Sequence, residues 1–203
     1  MTNQTQNIQA VIEKRRSEYV LNKELPISKE AVVELVEHAI QHSPSAFNSQ
    51  SARVIVLFDE AHDKLWNETT SILKGIMGDA DFSATQARMD GFKAAAGTVL
   101  FFEDQAVVKG LQENFPMYAE NFPIWSEQST GINQYVAWTE LASANVGANL
   151  QHYNPLIDAF VAKEWNAPAE WKLRGQLVFG GIVAPAGEKA FQDLASRVKV
   201  FDK

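Results

Sequence analysis

Cysteine is absent from all 203 residues, so disulfide staples, a thiol nucleophile and Cys-ligated zinc or iron–sulfur centres are excluded. Any redox chemistry must be borrowed from a cofactor. Basic charge is also scarce: 18 Lys and Arg stand against 25 Asp and Glu, for a formal charge of −7, and the basic residues are dispersed. Nonspecific attraction to nucleic acid or an anionic membrane relies on clustered cations, so neither partner is expected. No apolar run approaches the roughly 18 to 20 residues a bilayer span needs. The polar opening MTNQTQNIQ lacks the basic and apolar regions of a signal peptide. A cytosolic protein is the expectation.

Several chemical signatures are missing as well. No GxGxxG follows the early strands, and there is no Walker A sequence, GxSxG elbow, HExxH or EF-hand pattern. Dinucleotide-fold, kinase and serine-hydrolase readings fall with them. No internal repeat or low-complexity segment suggests a solenoid or a linker. Glu34, His38 and His42 recur at helical spacing. With no second half to complete a ligand set, they are read as a surface face, and no metal is expected.

What is present is 46% hydrophobic residues, enough to bury one sizeable core, so residues 1–203 are expected to form a single domain. Ile8, Val11, Ile12 and Tyr19 suit one helical face that Arg15, Arg16 and Ser17 interrupt near its end. Ser28 reads as an N-cap, with Glu30 in the first turn and a firm stripe from Ala31 to Ile40. Val54 to Phe58 and Thr98 to Phe102 read as strands buried on both faces, with helices over 65–73 and 82–92 between them. The two Phe-Pro pairs of NFPMYAENFPIW are expected to break regular structure, and their aromatics read either as satellite core or as walls for a flat substrate, with Phe122 and Trp125 the wall candidates. A long helix over Ser126 to Val146 follows, stopped by Gly147, then a strand over Ala148 to Tyr153. Pro155 opens a further helix carrying Ile157 to Trp165. A Trp171, Leu173 segment and a strand over Gln176 to Phe179 come next, with a bend at Gly180 and Gly181. The tail from Pro185 is too apolar at Phe191, Leu194, Val198, Val200 and Phe201 to be left undocked.

One connection concentrates polar groups. Pro44 biases Ser43 away from helical angles, and Ser45, Asn48, Ser49, Gln50 and Ser51 crowd in behind it, ahead of the strand. An ordinary helix-to-strand turn uses the same residue types. The pair Arg15 and Arg16 reads equally as a solvated helix end that complements the macrodipole or as a guanidinium fork for phosphate beside the Ser17 hydroxyl.

Pro44, Ser45, Ala46, Phe47, Asn48, Ser49 and Gln50 resemble the flavin-holding loop of the FMN-dependent nitroreductase family, Pro-Ser-Ser/Ala-x-Asn-x-Gln ahead of a buried strand. Arg15, Arg16 and Ser17 are similar to that family's Arg-x-Ser phosphate signature, and Arg197 and Lys199 to its closing basic pair. The three occur in the family's order across essentially the whole chain, nearest its short branch of yeast fatty-acid-repression-type and bacterial members.

The resemblance implies an α+β fold, with a central, mainly antiparallel sheet flanked by helices and a C-terminal segment exchanged in a homodimer. It implies FMN, with NADH or NADPH as donor and a nitroaromatic or quinone as acceptor. Arg15, Arg16, Ser17, Arg197 and Lys199 would serve the phosphate. Pro44, Ser45, Ala46, Asn48 and Gln50 would bed the ring, Gly147 would lie beside it, and Lys93, which also reads as a solvated surface charge, would face its N1 and O2 edge. No side chain is expected as a catalytic acid or base. Two departures stand out: Asn145, Val146, Gly147 replaces the usual Gly-Leu-Gly, and Ser51, Ala52 replaces the Pro-Trp that follows the motif Gln. Two alternatives stay open: a flavin-binding sensor with little turnover, and a flavin-free interaction protein that keeps only the fold.

Overall fold

The computed structural model describes residues 2–78 and 80–202, with side chains from Ile8 onward. Helix α1, Thr2–Lys14, ends before the arginines. Ser17 then leaves it to bridge Ala148, and a short strand β1, Val20–Asn22, follows. In α2, Lys29–His42, the expected cap is present: Ser28 Oγ accepts the Ala31 N–H at 3.2 Å, and the stripe buries Val32, Val36 and Ala39. Strand β2, Ala52–Phe58, runs directly into α3, Asp59–Met77. Gly75 is carried inside that helix, and Gly78, at φ 58°, ends it. Helix α4, Ser83–Lys93, leads to β3, Gly97–Asp104.

Helix α5, Gln105–Asn114, has no counterpart among the sequence expectations, although its cap was visible: the Asp104 side chain accepts the Ala106 N–H at 3.0 Å. The long helix α6 spans Asn121–Ser143, so it starts and stops earlier than expected. Phe115-Pro116 does break the chain, at a short 3-10 turn over Pro116–Tyr118. Phe122-Pro123 instead sits in the first turn of α6, where the missing N–H is one that no helix could satisfy. Asn145 takes a left-handed φ of 63°, and the chain enters β4, Gly147–Gln151, then α7, Asp158–Glu164, and β5, Trp171–Ala184.

The five strands form an antiparallel sheet ordered β1-β5-β3-β2, with β4 also paired to β5. The segments around Leu173 and Val178 are therefore one strand, and Gly180 and Gly181 lie within it rather than bending it. The reason is close approach: a Cβ at Gly180 would stand 2.4 Å from Asn22 O, and one at Gly181 2.1 Å from Glu24 O.

Alternation along β3 divides the core. Val99 and Phe101 join Leu177 and Phe179 against α2 and α6, through Val36, Ala39, Ala137 and Leu141. Leu100 and Phe102 face the other way, onto Leu65 and Trp66 of α3, Met89 and Phe92 of α4, and Val161 of α7. β3 is thus buried on both faces as expected, whereas β2 is an edge strand with only Leu57 fully buried. Among the described residues no helix is long and apolar enough to cross a membrane. The tail after β5 stays exposed, with Phe191 at 80%, Val200 at 81% and Phe201 at 88%. Within its own chain, the expected docking is confined to the tail's first residues.

Candidate cofactor site

Beyond α1 the chain is laid along β4. Glu18 N–H donates to Ala148 O at 2.9 Å, and Asn149 Nδ2 donates to Glu18 O at 2.7 Å. This anchoring aims Arg15 back at α6, where its guanidinium lies 4.4 Å from the Trp138 ring centroid and 5.6 Å from that of Tyr135. Its Nε is buried and has no hydrogen-bond partner among the described residues. Arg16 turns the other way, its Nη2 donating to Gly187 O at 2.7 Å, while Glu18 Oε2 accepts the Ala186 N–H at 2.6 Å. Adjacent residues therefore divide the work: Arg15 stays available to a ligand, and Arg16 and Glu18 clamp the start of the C-terminal tail. Arg15, Arg16, Ser17 and Lys189 line a cavity of about 580 Å³ closed by residues 184–188. A neighbouring cavity of about 390 Å³ shares Arg16 and is walled by Trp138, Asn145 and Gly147.

The second cluster is the Pro44–Gln50 loop. Ser45 Oγ accepts the Gln50 N–H at 3.0 Å, cinching it, and the Asn48 and Ser49 N–H groups donate back to Ser45 O and Ala46 O. Phe47, Asn48 and Gln50 adopt φ of 57°, 51° and 49°. Left-handed geometry is tolerable for Asn but strained for a bulky aromatic, at a cost of order 1–3 kcal/mol. That strain holds the half-exposed Phe47 ring among Phe115 at 5.0 Å, Phe122 at 5.2 Å, Tyr118 at 5.9 Å and Trp125 at 6.1 Å, nearly parallel to the last. Pro44, Ser45, Ala46 and Phe47 form one wall of a cavity of about 430 Å³, with Trp125, Ser129 and Ile132 of α6 opposite.

Of the two substrate-wall candidates, Trp125 lines this space, whereas Phe122 is buried behind it as a packing residue. Phe47, at the variable position of the loop motif, also lines this space, and its being the one aromatic inside the motif is the signal for that. Tyr135 and Trp138 had no signal linking them to Arg15, since only folding brings those segments together.

The two clusters are not one site within a single chain. Trp125 and Trp138 are separated by most of α6, about 20 Å at roughly 1.5 Å per residue. Lys93 lines neither cavity: it ends α4, which packs on the opposite face of the sheet, and its Nζ donates to Asn67 Oδ1 at 2.8 Å. Arg197 and Lys199 lie in the exposed tail and line neither cavity. Asn48 and Gln50 are exposed on the loop, and Gly147 is packed at the head of β4. The donor set suits a phosphate-bearing aromatic cofactor. A stacked guanidinium with an unsatisfied buried N–H, beside a hydroxyl and further cations, fits a phosphate, and an aromatic-walled slot fits a flat ring.

A family model described as "Nitroreductase family" matches residues 12–181. Nitroreductase FRM2 of Saccharomyces cerevisiae is 32% identical over 189 residues, which cover 92% of this chain and 94% of the relative. Nitroreductase CinD from Lactococcus lactis, solved with nicotinic acid, is 55% identical and covers 96% of this chain and 99% of its own, with a TM-score of 0.90. Its complexes with chloramphenicol and 4-nitrophenol superpose with TM-scores of 0.89 and 0.87. A nitroreductase with bound FMN from Desulfitobacterium hafniense shares the fold at 15% identity and a TM-score of 0.72, with full coverage of both chains.

Proposed function

Because this chain belongs to the nitroreductase family, we propose that it is an FMN-dependent oxidoreductase that uses NADH or NADPH to reduce nitroaromatics or quinones in alternating half-reactions at one cleft. The observation that carries the reading is Arg15, whose buried, unpartnered Nε stands with Ser17 in the wall of a cavity large enough for a cofactor phosphate. When bound, FMN would supply the carrier that accepts a hydride from the donor and passes the electrons to the acceptor.

The protein's share is binding, orientation and exclusion of water. Arg15 would neutralise the phosphate through a charge-assisted fork kept rigid by its stack on Trp138. Ser17 would add a neutral hydrogen bond, and Pro44, Ser45 and Ala46 would bed the ring, with Asn48 and Gln50 offering polar atoms at its edge. Trp125 and Phe47 would hold the donor and acceptor rings flat in turn. The CinD complexes with 4-nitrophenol and nicotinic acid support rings of this kind as ligands.

The same geometry supports a homodimer. The cation cradle and the aromatic slot lie near opposite ends of α6, so a two-fold pair can set the Arg15 cavity of one chain beside the Pro44–Gln50 loop of its partner. The exposed Phe191, Val200 and Phe201 would cross to that partner and bring Arg197 and Lys199 toward a phosphate.

The test is an absorption spectrum of the purified protein before and after anaerobic NADH, then NADPH, followed by 4-nitrophenol or menadione. A flavin band that bleaches and then recovers supports the proposal. A bound flavin that neither donor reduces favours a sensor, and a colourless protein that FMN cannot reconstitute overturns both.

A further inference from the structure

Glu103, near the end of β3, is fully buried, yet it takes part in none of the chain's ion pairs among the described residues. Its partners are three hydroxyls. Ser51 Oγ donates to Oε2 at 2.6 Å, Ser126 Oγ to the same oxygen at 2.7 Å, and Thr130 Oγ1 to Oε1 at 2.8 Å. A carboxyl group taken out of water without a cation is costly, and hydroxyl donors offset that cost only when all are aligned. An apolar side chain would fill the same space more cheaply, but it would not dictate where the three donors must stand.

Those donors stand behind the cavity lining, on the two segments that carry its walls. Ser51 directly follows Gln50, and its backbone carbonyl is also held, by the Asp104 N–H at 2.9 Å. Ser126 and Thr130 each follow a residue that lines the opposite wall, Trp125 and Ser129. One carboxyl group therefore ties the residue that closes the loop to the helix that carries the opposite wall.

We propose that Glu103 is a positioning residue that sets the width of the slot between the Pro44–Phe47 loop and Trp125, and thereby the fit of a flat acceptor. The inference rests on the flavin reading of this cavity and adds a residue that never touches the ligand. Glu103→Gln keeps the volume but puts an amide donor where Thr130 Oγ1 donates, so Thr130 must turn its proton to its other acceptor, Ser126 O at 3.1 Å, and the charge-assisted bonds that hold Ser51 and Ser126 become weaker neutral ones. Ser51→Ala and Thr130→Val each release one wall.

The experiment compares the FMN-loaded protein and these variants in three readouts: bleaching by the nicotinamide donor, steady-state reduction of nitrobenzene, and reduction of ferricyanide, a small acceptor that needs no stacking. Glu103→Gln is expected to retain FMN and bleach within about twofold of wild type, while KM for nitrobenzene rises about tenfold, equivalent to roughly 1.4 kcal/mol. Ferricyanide reduction stays within about twofold, and Ser51→Ala adds little in the Glu103→Gln background because the two act through one contact. Equal losses with both acceptors, or an unchanged KM for nitrobenzene, overturn the inference. If Glu103→Gln does not fold, the single-hydroxyl variants must show the same split between acceptors, and parallel losses in them count against it equally. Wild-type protein that takes up no FMN overturns the flavin reading itself, whereas normal wild-type turnover beside an indifferent variant overturns only the role of Glu103.

Discussion

His62 lies within the α3–α4 side of the core, where it is fully buried. Its Nε2 is 3.1 Å from Phe92 O, which can only accept, so that nitrogen carries the proton. Its Nδ1 is 2.9 Å from Thr98 Oγ1, and Trp66 Nε1 donates to the same oxygen at 3.0 Å, which leaves the Thr98 proton free to donate to Nδ1. The neutral ring is satisfied on both sides. An imidazolium would be buried and would oppose the Thr98 hydroxyl.

Burial is the main cause that lowers the His62 pKa from 6.5 to about 4, with nearby Asp63 offsetting part of the effect. Between those two values the unfolded chain binds a proton that the native chain does not, so stability rises with pH through this window. The contribution is complete above pH 6.5 and is lost as pH falls toward about 4. At about 1.36 kcal/mol per unit it amounts to roughly 3 kcal/mol. Urea unfolding from pH 4 to 8, at fixed protein and FMN concentration, should show this loss in wild type and not in His62→Gln, whose amide can donate to Phe92 O and accept from Thr98 without titrating. Taking the difference between the two proteins removes the carboxylates that titrate in both. Parallel stability curves, or a His62 ring that titrates near its ordinary value by NMR, would show that burial does not hold the ring neutral.

Arg15→Ala should raise the Kd for FMN by roughly 10- to 100-fold in a fluorescence titration, the scale of a lost charge-assisted contact. Arg15→Lys should recover only part of this, because it keeps the charge without the flat stack on Trp138, and unchanged affinity in Arg15→Ala would remove Arg15 from the site. Gly180→Ala forces a Cβ to 2.4 Å from Asn22 O and should cost about 1–3 kcal/mol. A thermal melt should then fall by roughly 2–4 °C per kcal/mol in a chain of this size, and an unshifted Tm would contradict the packing. Deleting residues 190–203 should lower the mass measured by light scattering from dimer to monomer and weaken FMN retention. A truncated chain that stays dimeric would show that the exposed tail is not what joins the copies.

Much of the fold was legible because the signals were local. The Ser28 cap with its apolar stripe and the β3 run from Thr98 to Phe102 each carry their structure in adjacent residues. Where the reading went astray, a distant contact or a position within an element made the difference. Pro123 reads as a breaker until it falls in the first turn of α6. Gly180 and Gly181 read as a bend until the carbonyls of Asn22 and Glu24 press against them from a segment far away in sequence. Val54 to Val56 looks doubly buried, but strand order leaves β2 at the edge.

The candidate site divides along the same line. The residues in order already give the chemical types: a chain without cysteine, a polar loop opened by Pro44, paired arginines ahead of Ser17, and an aromatic run around Phe122 and Trp125. These follow from composition, spacing and the narrow backbone preferences of Pro and Ser, which act over a few residues. Folding sets the rest: Arg15 Nε has no partner among the described residues while Arg16 is spent on Gly187, Phe122 backs the slot while Phe47 lines it, Lys93 lies across the sheet, and Glu103 joins Ser51 to α6. Each of these depends on side chains brought together from segments far apart in the chain, by the packing of α6 and the sheet. No local pattern encodes such a meeting before the core has formed.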